Sequence, residues 1–307
     1  MTAIPAPARP AVRTREVERG PRPEDHLLRL ADGRRLGWSE SGNPHGKPVF
    51  FFHGFGTTRI VCPPDGPALD HGLRLIAVDR PGIGLSEPQP GRSLLEWPSD
   101  VAELADHLGI ERFKIVAWSG GGPYGLACGL VMGSRVDAIA AVSPAAPLAK
   151  PTDPGYLRWR DRHAVRFANR APWIIRLAMW HWGRGQRSDA EKFFEKSVAD
   201  MCAADQAVLA EPELRSRMIA NSAELYRQGG RGMYDEALVL SKPWGFEPAE
   251  LRVPVTIWQG GRDDTVPMTM ATHLAEVIPG ASLRMYPDEG HHLLYRYWPD
   301  ILASLAD

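Results

Sequence analysis

The sequence predicts an α/β protein: a mostly parallel eight-stranded sheet flanked by helices, with a helical lid inserted into it. Three observations predict it. Short apolar runs rich in β-branched and aromatic residues alternate with longer helix-compatible stretches, the pattern of successive βαβ units. Most of these runs are continuously apolar, as strands buried on both faces are. The alternation then breaks between about Pro144 and Pro243, where amphipathic helical segments follow one another without a convincing strand.

The elements follow in order. Residues 1–25 are rich in Pro, Arg and Ala and lack the apolar stretch of a signal peptide, so they read as a flexible N-terminal tail on a cytoplasmic protein. Residues 27–40 (LLRLADGRRLGWSE) read as an antiparallel hairpin, because Asp32-Gly33 supplies the turn. Six further strands are expected at Val49 to Phe52, Leu73 to Asp79, Phe113 to Trp118, Ala138 to Val142, Val255 to Trp258 and Leu283 to Tyr286. The division is therefore a core of residues 26–143 and 244–307 with a lid of residues 144–243. The densest apolar piece of the lid, Trp173 to Trp182 (WIIRLAMWHW), could line a cavity, dock on a membrane surface or pack onto the core. The aromatics Trp159, Trp173, Trp180 and Trp182 suggest an apolar ligand, and core packing explains them equally well.

Bulk composition narrows the function. A chain of 307 residues with 44% hydrophobic residues can bury a large core. Its 36 Lys+Arg nearly cancel 37 Asp+Glu, leaving a net charge of −1 and no reason to expect nucleic acid as a partner. Cys62, Cys128 and Cys202 lie far apart, which suggests neither a disulfide framework nor a zinc site. No run approaches the ~20 apolar residues that cross a bilayer, so stable membrane insertion is not expected. The expected partner is a small-molecule substrate, and the protein is expected to be a monomer or homodimer.

Four short motifs carry chemistry, and a fifth supports them. The run KIVAWSGGGPY places Ser119 at a sharp turn between a buried strand and a helix, with small residues, Ala117 and Gly121, two positions to either side. Such a turn exposes the serine hydroxyl and aims the Gly120 N–H into the same space. A phosphate loop would want a lysine after the glycines, and Pro123-Tyr124 stands there instead. His53-Gly54-Phe55-Gly56, directly after PVFFF, supplies a second donor, the Phe55 N–H; His53, Gly54 and Gly56 shape that turn. Asp263, in WQGGRDDTVP at a strand end, suits the carboxylate that orients an imidazole; Asp264 is the neighbouring candidate, and Asp264 or Thr265 could equally cap a helix. His291, in PDEGHHL, lies 28 residues further on as the candidate base, with His292 as its alternate. Asp79-Arg-Pro-Gly82-Ile-Gly84-Leu-Ser86 reads as an architectural turn near the site.

With these motifs in this order, the chain resembles the α/β-hydrolase superfamily from about Leu27 to the C-terminus, in the group with an HGFG-type oxyanion turn and a helical cap after the sixth strand. The resemblance implies a Ser119-His291-Asp263 triad, with the backbone N–H groups of Phe55 and Gly120 as oxyanion donors and no metal or organic cofactor. It implies cleavage of a carboxylic ester, or with the same triad an amide, iminopeptide or C–C bond, and it leaves room for a non-hydrolytic ligand-binding member. Dehalogenases and epoxide hydrolases of the superfamily carry aspartate where this chain has Ser119. The chain departs from the common pattern in having Ala117 where glycine is usual.

Overall fold

The computed structural model describes residues 17–19, 22, 24–148 and 170–306. The expected strands are all present, as β2 (Asp25–Arg29), β3 (Arg35–Gly42), β4 (Lys47–Phe52), β5 (Leu73–Val78), β6 (Phe113–Trp118), β7 (Val136–Val142), β8 (Val255–Gly260) and β9 (Ser282–Tyr286). A ninth, β1 (Val17–Arg19), pairs antiparallel with β2 at the sheet edge. This strand and the fully buried Asp25 fall within the stretch expected to be a flexible tail, of which residues 1–16, 20, 21 and 23 lie outside the described residues. The nine strands of the sheet run in the order β1-β2-β3-β5-β4-β6-β7-β8-β9, antiparallel as far as β5 and parallel from there on.

The continuous apolar runs follow from helices on both faces. Along β4, Phe50 and Phe52 point into one apolar cluster while Val49 and Phe51 point into the other, the two-residue alternation of a strand. Helices α2 (Trp97–His107) and α3 (Gly122–Val131) cover the first face. Helix α1 (Gly66–Asp70) contributes Ala68 to the second. Chain order reverses at β4, whose neighbours are β5 and β6, so a crevice opens beyond the C-terminal ends of β4 and β6, where open α/β sheets collect their ligands.

Between β7 and β8 the described residues form helices only: α4 (Pro172–Ser188), α5 (Ala190–Ala199), α6 (Ala203–Leu209), α7 (Pro212–Leu225) and α8 (Arg231–Ser241). The chain then closes with α9 (Met268–Val277) on the first face, and α10 (Leu293–Arg296) and α11 (Trp298–Ala306) on the second. The tryptophans of α4 divide between the alternatives open from sequence. Trp182 packs on Phe55 and Phe193, whereas Trp173 and Trp180 are 65% and 52% exposed; Trp159 lies outside the described residues. Among the described residues no helix is long and apolar enough to cross a membrane.

Candidate active site

Ser119 follows β6 directly and has φ of 55°, a left-handed conformation that costs a non-glycine residue energy and must be imposed by its surroundings. The strand ladder imposes it from one side and α3 from the other. Ala117 fits where glycine is usual because Gly125, on α3, faces it: a Cβ at Gly125 would stand 2.7 Å from the Ala117 methyl. One missing methyl on the helix thus makes room for one on the strand.

Three residues from three loops meet here. Ser119 Oγ is 2.9 Å from His291 Nε2, and His291 Nδ1 is 2.8 Å from Asp263 Oδ2. All three are buried, at 8%, 5% and 4% exposure, so their interactions are weakly screened by water. Asp263 lies just beyond β8. Its other oxygen, Oδ1, accepts the N–H groups of Thr265 and Val266, and Oδ2 also accepts from the Gln259 side-chain amide at 3.2 Å. Neither Asp264 nor Thr265 caps a helix, since α9 begins after Pro267; Asp264 points outward and is exposed. Burial pulls the His291 imidazole toward neutrality, but the Asp263 charge and hydrogen bond, with Asp205 behind, outweigh it and raise its pKa above the ordinary histidine value. Trp118 closes the side of this ring, its own ring tilted against it at 5.5 Å, and donates its indole N–H to the His291 carbonyl. The line hydroxyl–imidazole–carboxylate can move a proton off Ser119 while the carboxylate stabilises the resulting imidazolium.

The turn after β4 comes against the elbow. Phe55 N lies 3.0 Å from the place a Gly120 Cβ would take, so the turn packs directly against Gly120. His53 is buried beneath the turn and is neutral: burial, then the Arg80 charge, pushes its pKa well down. Its Nδ1 donates to the Gly54 carbonyl, and its Nε2 faces the Arg80 N–H as an acceptor. Gly56, with φ of 74°, turns the chain away and accepts a hydrogen bond from Asn221 of α7.

Arg80 has a larger role than the turn-forming one assigned to its motif. Its guanidinium donates to the carbonyls of His53 and Gly54, at 2.6 and 2.9 Å, and pairs with the buried Glu236 of α8 at 2.6 Å. Asp79 of the same motif pairs with Arg59, which also meets Asp25 and Glu224. Asp205, Glu224 and Glu236 were invisible to motif reading, because each is one acidic residue in an amphipathic helical stretch with no local pattern to distinguish it. Arg80 carried a signal, its place in a motif already known to border the site. His292, the alternate base, turns away from Ser119: its ring stacks on Tyr295 and its Nδ1 is 3.2 Å from Asp205 Oδ1, poorly aligned for a hydrogen bond.

Comparison with known proteins agrees with this architecture. The sequence profile of the alpha/beta hydrolase fold matches residues 47–296, so the chain belongs to that family. The esterase of Exiguobacterium antarcticum superposes with a TM-score of 0.70 at 19% identity, over 91% of this chain and 98% of that one. In sequence, the chain is 22% identical to a proline iminopeptidase of Neisseria gonorrhoeae over 84% of its own length and 87% of the relative's. It is 28% identical over 260 residues to the dihydrolipoyllysine-residue acetyltransferase component of the acetoin cleaving system of Pseudomonas putida, of which it spans 62%.

Proposed function

We propose that this protein is a serine hydrolase that cleaves a carboxylic ester through an acyl-enzyme. One observation carries the reading: His291 stands within hydrogen-bond distance of both Ser119 Oγ, at 2.9 Å, and Asp263 Oδ2, at 2.8 Å. In the first half-reaction His291 Nε2 takes the Ser119 proton as Oγ attacks the carbonyl carbon, and the Phe55 and Gly120 amides hold the oxyanion. The tetrahedral intermediate collapses, the C–O bond to the alcohol breaks, and His291 gives that alcohol the proton. Water then enters along the same path, His291 takes its proton, and the acid leaves with Ser119 restored. Asp263 fixes the proton of the resting imidazole on Nδ1.

A small or medium apolar substrate suits the walls beside the two amides. Leu240 and Phe55 lie against Gly120, and the Trp182 ring lies over Gly56. Trp182 and Leu240 belong to α4 and α8, which makes the helical insert a cap over the site. Iminopeptide hydrolysis is the second reading, favoured by the iminopeptidase that matches most of the chain. The same constellation serves both bonds.

A fluorophosphonate probe should label the wild type at Ser119 and leave Ser119→Ala unlabelled, with kcat falling by roughly 10⁵–10⁶. Labelling of the alanine variant would remove Ser119 from its role. A panel of p-nitrophenyl esters set against aminoacyl anilides separates the two bond types.

A further inference from the structure

We propose that Asp205 of the helical insert is a positioning residue for His291, so that the insert completes the catalytic machinery as well as covering it. The proposal rests on the triad reading above. Asp205 lies on α6, 86 residues before His291 in sequence, and is 1% exposed. Its carboxylate is saddled by the histidine loop: Oδ2 accepts the His291 N–H at 2.9 Å and Oδ1 accepts the His292 N–H at 2.7 Å. Glycine is required just before them, because a Cβ at Gly290 would collide with that same carboxylate. The Cys202 thiol, 3.5 Å away, is a further donor to Oδ2.

Burial alone would raise the Asp205 carboxyl. The nearby His292 ring and the two backbone N–H groups more than offset it and hold the group ionised, well below the usual carboxylate range. A buried anion satisfied by the backbone of one loop is a costly way to dock a helix, since an apolar side chain would pack there without any desolvation penalty. What it supplies instead is direction. Two hydrogen bonds to consecutive amides fix the backbone from which the His291 ring projects. A reacting group misplaced by ~1 Å can lose about 100-fold in rate.

The charge also acts on the ring. The charged and titratable groups facing His291 are Asp263 from the loop after β8, Asp205 from α6, and His292 beside it; Trp118 of β6 contributes an uncharged wall. An anion near the imidazole favours its protonated form, and the base works only when neutral. Removing the Asp205 charge therefore lets His291 lose its proton at lower pH, moving the acidic limb of kcat/KM downward.

The test is the pH–rate profile with separate kcat and KM for Asp205→Asn and Asp205→Glu, with Val208→Ala as a perturbation of the same buried helix that leaves the carboxylate in place. Asp205→Asn should lower kcat by roughly 10- to 100-fold with KM little changed, and should shift the acidic limb down. Asp205→Glu, which keeps the charge, should leave the limb where wild type has it, and Val208→Ala should move neither quantity. Wild-type kcat in Asp205→Asn, an unshifted limb, or the same pair of effects in Val208→Ala would each overturn the proposal. If Asp205→Asn does not fold, a limb displaced downward in Asp205→Glu overturns it as well. Failure here leaves probe labelling of Ser119 unchanged, whereas failure of the triad reading shows as labelling of Ser119→Ala.

Discussion

The sheet and the helical insert are held by different forces. Both faces of the sheet are covered by continuous apolar clusters, so its helices are placed by area removed from water, which has no preferred direction. The insert is less evenly buried. Helix α5 has no buried residue and α4 has only Gly183 and Gln186, while Leu225, Tyr226 and Met233 cluster with Ile83 and Val239 of α8 joins the first-face cluster. Beside that apolar contact, three buried carboxylates reach from the insert into the core: Glu224 to Arg59, Glu236 to Arg80, and Asp205 to the histidine loop. Each ends at a loop that carries the site or supports it. Directional bonds therefore set where the insert sits relative to Ser119, and they do so at a few named atoms.

The sharpest division should appear at Asp263, which hangs from the end of β8 and is held by Gln259, Thr265 and Val266. Asp263→Asn offers Nδ1 of His291 the wrong partner and destabilises the imidazolium, so kcat should fall roughly 10⁴-fold. Thr265 and Val266 can still donate to the remaining amide oxygen, so the urea midpoint should stay near that of wild type. A loss below tenfold would show that this carboxylate does not orient the base.

The second largest effect should come from the boundary itself. Arg80 has Glu236 on one side and two carbonyls of the turn after β4 on the other. Arg80→Met leaves Glu236 buried without its cation, and breaking such a pair costs about 3–5 kcal/mol. Adding Glu236→Met should restore most of that stability. It should not restore the rate, because the His53 and Gly54 carbonyls remain unheld and the Phe55 amide above them loses its support. Recovery of both together would mean that Arg80 only neutralises Glu236, and the distinction between placing and packing would fail at this point.

The same division explains what could be read in the sequence. The parallel strands were legible because most are apolar runs of the right length, the hairpin because Asp32-Gly33 marks its turn, and Ser119, Phe55, Asp263 and His291 because each stands in a short motif at a strand end. β1 was not: Val-Glu-Arg has no apolar signature, and what makes it a strand is the unpaired edge of β2. The insert was legible as helical, from periodicity, but its contacts were not. Asp205, Glu224 and Glu236 look like the solvent-facing acids of any amphipathic helix, and only the fold shows that they point inward. Periodicity also left the fate of the α4 tryptophans open, since Trp173 and Trp182 differ in surroundings and not in sequence character.

The smallest effect should be found on the outer surface of the insert. Arg215 of α7 lies 2.9 Å from Glu191 and 3.0 Å from Glu195 of α5, and both carboxylates are mostly exposed, at 65% and 61%. Exposed pairs of this kind contribute about 0.2–1 kcal/mol, because water already solvates both charges and two long side chains must be ordered to meet. Arg215 also keeps its second partner when one is removed. Glu195→Gln should therefore shift unfolding in urea by less than about 0.5 kcal/mol and leave kcat unchanged. A shift several times larger would mean that α5 is held by charge on its outside as α6, α7 and α8 are on their inside, and the contrast between buried and surface carboxylates in the insert would have to be redrawn.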